Sequence, residues 1–86
     1  MKTIELSKHL DAIVDDNDYY LLSMMDWRAV PGGNAFYAHL LDPADNTISN
    51  VTMQEAIVLS EDCAHIRHIN GNGLDNRRAN LTTKPE

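Results

Sequence analysis

The residues of this sequence best suited to chemistry lie close together near its C-terminal end. The stretch HIRHINGNGLDNRRANL, residues 65–81, carries two histidines, a carboxylate and several amides. With Cys63, the only cysteine, His65 and His68 could offer thiolate and imidazole ligands to zinc. A structural zinc site usually needs four ligands, and on a strand His65 and His68 would point to opposite faces. Zinc is therefore the weaker interpretation, and no metal site is expected.

The local pattern of this stretch predicts two strands joined by a polar loop. Residues 65–69 are predicted to form the first strand, and residues 70–73, Asn-Gly-Asn-Gly, are typical turn formers. Residues 75–81 read as a tight polar turn that leads into a last strand.

The elements that must hold this segment are short. Residues 3–6 and 9–14 are predicted strands, because polar and apolar residues alternate or β-branched residues cluster there. The acids of residues 15–18 are predicted to cap a helix and fill its first turn, with the helix running through residues 19–25. Its buried stripe would carry Leu21, Leu22, Met24 and Met25.

A three-stranded antiparallel sheet is predicted next, from residues 27–30, 35–41 and 47–51. Its first turn is Pro-Gly-Gly-Asn at 31–34, where the glycines would supply positive φ, and its second turn is 42–46. Thr52 and Glu55 have the spacing of a capping box and would open a short helix through Leu59.

Length and charge limit the class of protein. A chain of 86 residues, 43% hydrophobic and 23% charged, is expected to be a single domain over 1–86, without a membrane span. The start has no apolar signal segment, so an intracellular location is expected. Seven basic residues stand against thirteen acids, a net charge of −6. Residues 1–62 carry a net charge of −8 and residues 63–86 a net charge of +2. Because DNA affinity comes largely from cationic side chains, the affinity of this chain for DNA should be low.

Residues 68–78, HINGNGLDNRR, followed by Asn80-Leu81, give the chain a resemblance to the HNH endonucleases of the phage homing type. Upstream, AIVDDNDYYLLSMMDWRA, GNAFYAHL and VTMQEAIV are similar to that family's entry segment, sheet strand and Met-His-Arg helix. The resemblance implies a single-metal nuclease, in which a histidine base activates water beside a Mg²⁺-class cation. By motif position, His68 would be the base and Asn80 would order the loop.

Three departures from the family pattern indicate that this nuclease is inactive. Arg67 stands where the family places a metal ligand, and a guanidinium cannot coordinate a cation. The helix with the family's other ligand is expected to be absent, because the sequence ends six residues after Asn80. Met53-Gln54-Glu55 replaces Met-His-Arg, which removes a phosphate-facing cation. His68 and Asn80 would then be vestigial, with no cofactor required.

The expected fold class is α+β: a small antiparallel sheet with short helices, followed by a truncated HNH motif of the ββα-metal kind without its final helix. Residues 1–62 would form the acidic part and residues 63–86 the degenerate motif. With the helix absent, Ile66, Leu74 and Leu81 could be exposed and support a homodimer.

The sequence keeps the strand, turn and helix-capping patterns of a folded domain but lacks the catalytic groups. This combination favours a binding role. We hypothesise an inhibitor of a host defence nuclease, with an anti-CRISPR protein that binds a Cas effector as the concrete case, acting in the cytoplasm of an infected bacterium. Its carboxylates would meet a basic nucleic-acid-binding surface, and its arginines would add a second contact. The residues assigned to partner binding are Asp11, Asp15, Asp16, Asp18, Asp26, Asp42, Asp45, Arg67, Arg77 and Arg78.

Two alternatives remain open. The first is a minimal HNH nicking endonuclease that uses His68 as base and completes a Mg²⁺ site with a partner's residues. The second is an accessory DNA-binding remnant, for which a net charge of −6 is unfavourable.

Overall fold

The two N-terminal strands form a hairpin whose inner face begins the core. The computed structural model describes residues 1–58 and 66–83 of the chain. Strand β1, Lys2–Glu5, pairs antiparallel with β2, Asp11–Val14. Side chains alternate between the two faces of a strand, and Ile4, Ala12 and Val14 are the buried ones.

The turn of this hairpin determines where β2 begins. Lys8 and His9 both have positive φ, 62° and 60°, as the two central residues of a tight hairpin turn require. The strand predicted from His9 therefore starts later, at Asp11, and the prediction was wrong by two residues there. Ser7, at the start of the turn, accepts a hydrogen bond from the Ala29 amide at 2.9 Å and so ties the hairpin to the main sheet.

Helix α1, Asp16–Leu22, follows the hairpin and is shifted from its predicted position. Asp16 and Asp18 lie in its first turn, as predicted, and Asp15 is its N-cap residue, but the Asp15 side chain makes no capping hydrogen bond. The helix ends before Met24, and the Trp27 indole donates a hydrogen bond to the Leu22 carbonyl at 2.9 Å. Of the four predicted stripe residues only Leu22 is buried, whereas Leu21, Met24 and Met25 are exposed.

The predicted three-stranded sheet is confirmed. Strands β3, Trp27–Gly32, β4, Ala35–Asp42, and β5, Thr47–Thr52, are antiparallel and lie in that order. In the first turn Gly33 alone of the two glycines has positive φ, and in the second turn Asn46 does. Asp42 and Asp45 accept hydrogen bonds from the backbone amides of that second turn.

Helix α2, Met53–Val58, packs on this sheet through Met53 and Ile57. It begins where the capping spacing predicts, but Thr52 and Glu55 hydrogen-bond to each other through their side chains, at 2.8 Å. Its predicted last residue, Leu59, lies outside the described residues, as do Cys63 and His65.

The C-terminal segment forms a third small sheet around its loop. Strand β6, Arg67–His68, pairs antiparallel with β7, Leu81–Thr82, after a 3₁₀ turn at Arg78–Asn80. The predicted polar turn and last strand are confirmed. The described residues thus make three antiparallel sheets and two short helices, an α+β arrangement.

The C-terminal loop is part of the main core. Ile13 of β2 donates to the Leu74 carbonyl and accepts from the Asn76 amide, both at 2.7 Å. The Leu74 side chain is buried with Trp27 and Met53 and is therefore not exposed, and Ile66 and Leu81 are half-buried. Gly73 lies so close to β4 that a Cβ there would be 2.3 Å from the Phe36 carbonyl oxygen.

None of the helices in the described parts of the chain is long and apolar enough to cross a bilayer.

Candidate functional site

The candidate site is the loop between β6 and β7, which holds the residues of the HINGNGLDNRR stretch. The register pairs His68 with Leu81, and the Ile69 amide donates to the Asn80 carbonyl at 2.8 Å. These contacts bring the two ends of the loop together, so that His68 and Asn80 lie at its neck.

Asn80 holds the loop in shape through both ends of its amide. Its oxygen accepts from the Asn70 backbone amide at 3.0 Å, and its nitrogen donates to the Asn70 side-chain oxygen at 2.9 Å and the Asp75 carbonyl at 2.8 Å. The Asn80 side chain is buried, which limits competition from water for these bonds. Asn80 therefore orders the loop.

Asp75 is a buried carboxylate with a dedicated cation. The Arg77 guanidinium donates to its two oxygens at 2.7 and 2.6 Å, and the Asn70 side chain donates at 2.9 Å. Hydrogen bonding to Arg77 holds the pKa of Asp75 below its ordinary value, against the opposing effect of burial. The same pairing raises the pKa of Arg77. The loop's one carboxylate is thus ionised and already bound.

His68 contacts a buried amide and an aromatic ring. Its Nε2 lies 2.7 Å from the Asn76 side-chain oxygen, and its ring centroid lies 5.7 Å from that of Tyr37 on β4, tilted by 51°. An amide oxygen accepts, so with Asn76 in this orientation Nε2 carries a hydrogen and Nδ1 is the basic nitrogen of the neutral ring. Asn76 is fully buried.

Asn76 and Tyr37 were not predicted as site residues. Asn76 lies inside the matched stretch, where its burial beneath His68 could not be read from a loop of turn formers. Tyr37 comes from β4, some thirty residues earlier in sequence, and no local signal connects it with the loop.

Several of the residues assigned to partner binding make contacts within the molecule. Arg78 donates its backbone amide to Asp15 at 2.9 Å and its guanidinium to Asp18 at 2.8 and 2.9 Å. Asp16 pairs with the amino terminus at 2.9 Å. Three of the acids assigned to a partner are therefore engaged within the molecule.

The remaining assigned residues lie on other elements of the fold. Asp42 and Asp45 stabilise the β4–β5 turn, Asp11 and Asp26 line a cleft beside β1, and Arg67 lies half-buried on β6 opposite Thr82. In the ranges 1–58 and 66–83, no group of three His, Cys, Asp or Glu side chains is placed to hold a metal ion. The zinc alternative through Cys63 and His65 lies outside those ranges.

Comparison of the chain with protein-family models, with curated proteins and with solved structures gives no match in any of the three.

Proposed function

We propose that this protein is a non-catalytic relative of the HNH endonucleases, built on a truncated HNH motif, which binds and inhibits a nucleic-acid-binding effector of bacterial defence, specifically a Cas effector. The observation that carries the proposal is the hydrogen bonding within the loop. Asp75 is bound by Arg77, His68 by Asn76, and Asn80 by Asn70. The Asp75 and Asn80 side chains are thus used to stabilise the loop, whereas the bond to Asn76 fixes the His68 ring and leaves its Nδ1 as the basic nitrogen.

The position before His68 supports the absence of catalysis. A single-metal nuclease needs a carboxylate or imidazole near its histidine base, and the metal provides several kcal/mol of charge stabilisation. Arg67 occupies that position, and a guanidinium repels a divalent cation. A general base alone contributes about 10²- to 10⁴-fold, which leaves phosphodiester hydrolysis far too slow.

Charge supports a protein partner over DNA. The net charge is −6, and two of the motif's arginines are neutralised by Asp75 and by Asp18. An acidic surface accelerates association with a basic groove, such as one that binds guide RNA or target DNA. The same charge opposes duplex DNA, whose affinity for proteins comes from cations.

The test is a titration of the purified protein into guide-directed DNA cleavage reactions, one effector of each CRISPR type per reaction, in Mg²⁺. We expect at least one effector to be inhibited near an equimolar ratio, and the inhibition to weaken as salt rises. His68→Ala should inhibit as well as the parent protein. If the protein inhibits none of the effectors in the panel, the proposal is wrong.

Two controls on the same preparation separate the alternatives. A Mg²⁺ plasmid-cleavage assay without effector should show no nicking; nicking that disappears in His68→Ala would establish the enzyme instead. A gel shift at low salt should leave duplex DNA unretarded; retardation would establish the DNA-binding remnant.

A further inference from the structure

Two clefts adjoin at the C-terminal end of α1 and differ in chemistry. The first, of about 550 Å³, carries the carboxylates of Glu5, Asp11 and Asp26. The second, of about 220 Å³, is lined by apolar side chains. Met25 and Asp26 line both clefts, so the two are adjacent. We call them together the acidic–apolar depression; its apolar members are Met24, Met25, Leu40, Leu41 and Pro43.

The acidic half of the depression is not neutralised by the described residues. Glu5 and Asp11 are directly opposite in the β1–β2 register, and like charges in that arrangement repel. No cation in the described parts of the chain pairs with Glu5, Asp11 or Asp26, whereas Asp18 and Asp75 each have an arginine. A cation from outside would relieve the repulsion.

In the apolar half of the depression, two methionine side chains are exposed to solvent. Met24 is 68% exposed and Met25 37%, and both follow the end of α1 where its buried stripe was predicted. Methionine side chains are flexible and polarisable, and surfaces rich in them adapt to apolar partners. Exposed apolar groups beside a polar rim are typical of interaction sites.

We propose that the acidic–apolar depression binds a basic amphipathic segment of a partner protein. A lysine or arginine of that segment would lie between Glu5 and Asp11, and an apolar side chain would cover Met24 and Met25. The charge of the depression selects this occupant, because a second copy of the chain or a nucleic acid would bring more negative charge. This inference rests on the proposed function and names the chemistry its partner must present.

The first experiment is an NMR titration of the full chain with a synthetic amphipathic helical peptide of leucine, lysine and arginine. We expect amide shifts to change at Glu5, Asp11 and Met24 to Asp26, with little change in the β4–β5 turn. A peptide with glutamate in place of each cation, and one with serine in place of each leucine, should both fail to produce these shifts.

Two matched pairs of variants locate the binding. Asp26→Asn should weaken peptide affinity about five- to tenfold, as expected for a loss of about 1 kcal/mol or slightly more, and Glu55→Gln, which removes the same charge on α2, by less than about twofold. Met24→Gln should weaken it similarly, and Ile48→Gln, which alters another exposed apolar side chain on β5, should not. Equal losses within each pair would show general attraction to an acidic protein and overturn the proposal.

Two further outcomes would also overturn it. Amide shift changes at acidic residues throughout the described chain, and not mainly in the depression, would mean that the depression is not a specific site. If the parent protein sediments as a dimer and the Met24→Gln variant as a monomer, a second copy of the chain covers this face.

The failure of this inference differs from the failure of the proposed function. If the peptide binds the depression but no effector is inhibited, the surface stands and the Cas target is wrong. If an effector is inhibited equally by the parent protein, Asp26→Asn and Met24→Gln, the function stands and the surface is wrong.

Discussion

The Arg78 guanidinium donates two hydrogen bonds to the Asp18 carboxylate, at 2.8 and 2.9 Å, across 60 residues of sequence. The Arg78 backbone amide donates to Asp15, the N-cap residue of α1, at 2.9 Å. The acid run therefore has two structural functions: it begins a helix and it fixes the C-terminal loop to that helix. The loop between β6 and β7 is therefore held in part by Asp15 and Asp18.

A double-mutant cycle tests how strongly this pair fixes the loop. We expect Asp18→Asn and Arg78→Gln to show a coupling free energy below about 1 kcal/mol, because the Arg78 side chain is 60% exposed and water screens the pair. Urea unfolding of the parent, the single variants and the double variant measures it. A cycle between Asp18 and Arg28 should show no coupling. A coupling of several kcal/mol would mean that the pair is shielded from water in solution.

Asp75 should make stability fall in acid. Its pKa is lowered in the folded protein, chiefly by hydrogen bonding to Arg77, so the folded state binds a proton less readily than the unfolded state. The stabilisation is therefore fully present above the unfolded pKa of about 3.9 and is lost as the pH falls through the folded value. We expect the urea midpoint to be flat from neutral pH to about pH 5 and to fall below about pH 4.

Asp75→Asn separates this carboxylate from the others. The variant keeps the size of the side chain but loses the charged acceptor of Arg77, so we expect a loss of about 1–3 kcal/mol at pH 7 and a shallower decline in acid. Asp45→Asn is the control, because the pKa of Asp45 is also lowered but the carboxyl is exposed. An unchanged acid slope in Asp75→Asn would contradict the assignment.

Gly73 is required by close packing. A Cβ at this position would lie 2.3 Å from the Phe36 carbonyl oxygen and 2.7 Å from the Tyr37 ring, so the loop or β4 must move. We expect Gly73→Ala to lower the free energy of unfolding by about 1–3 kcal/mol, as overpacking does elsewhere. Gly33→Asn is the control: its Cβ would meet open space, and asparagine tolerates positive φ. Equal stability of the two variants would show that the loop has room.

The β1–β2 turn offers a stabilising substitution. His9 has a φ of 60°, a conformation that glycine adopts without the steric cost of a Cβ. We expect His9→Gly to raise the free energy of unfolding by about 0.5–1 kcal/mol, since glycine is the preferred second residue of such a turn. Thermal unfolding measures the gain, and His9→Ala should give none. A loss of stability in His9→Gly would mean that the imidazole has a structural role.

Local patterns predicted the three-stranded sheet and its turns, but they did not predict where β2 and α1 lie or how the elements pack together. The β3–β4–β5 sheet follows from β-rich runs separated by Gly33 and by the Asp42–Asn46 turn, signals that act over a few residues. The end of α1 does not follow from the local pattern, because the apolar residues continue past Leu22. The buried Trp27, which bonds to the Leu22 carbonyl, is what marks the end of the helix. The methionines predicted to be inside were consequently found exposed.

The same distinction holds at the candidate site. The role of Asn80 follows from a motif whose residues hydrogen-bond to each other within one loop. The contacts of His68 with Tyr37 and of Arg78 with Asp18 join segments distant in sequence, and no spacing predicts them. The pairing of Asp15 and Asp18 with Arg78 was therefore not predicted.

His68 gives the prediction that separates a scaffold from an enzyme. In the structure its Nε2 bonds to the buried Asn76 amide and its ring faces Tyr37. His68→Ala would leave that amide without this partner, so we expect a loss of about 1–3 kcal/mol in the free energy of unfolding. His39→Ala is a matched control, because His39 is also half-buried and bonds to the Ser49 carbonyl at 3.0 Å. Both variants should keep the parent's inhibition of the effector at temperatures where they are folded. If His68→Ala lost an activity that His39→Ala kept at equal stability, the imidazole would be acting on a substrate or partner, and the scaffold interpretation would be wrong.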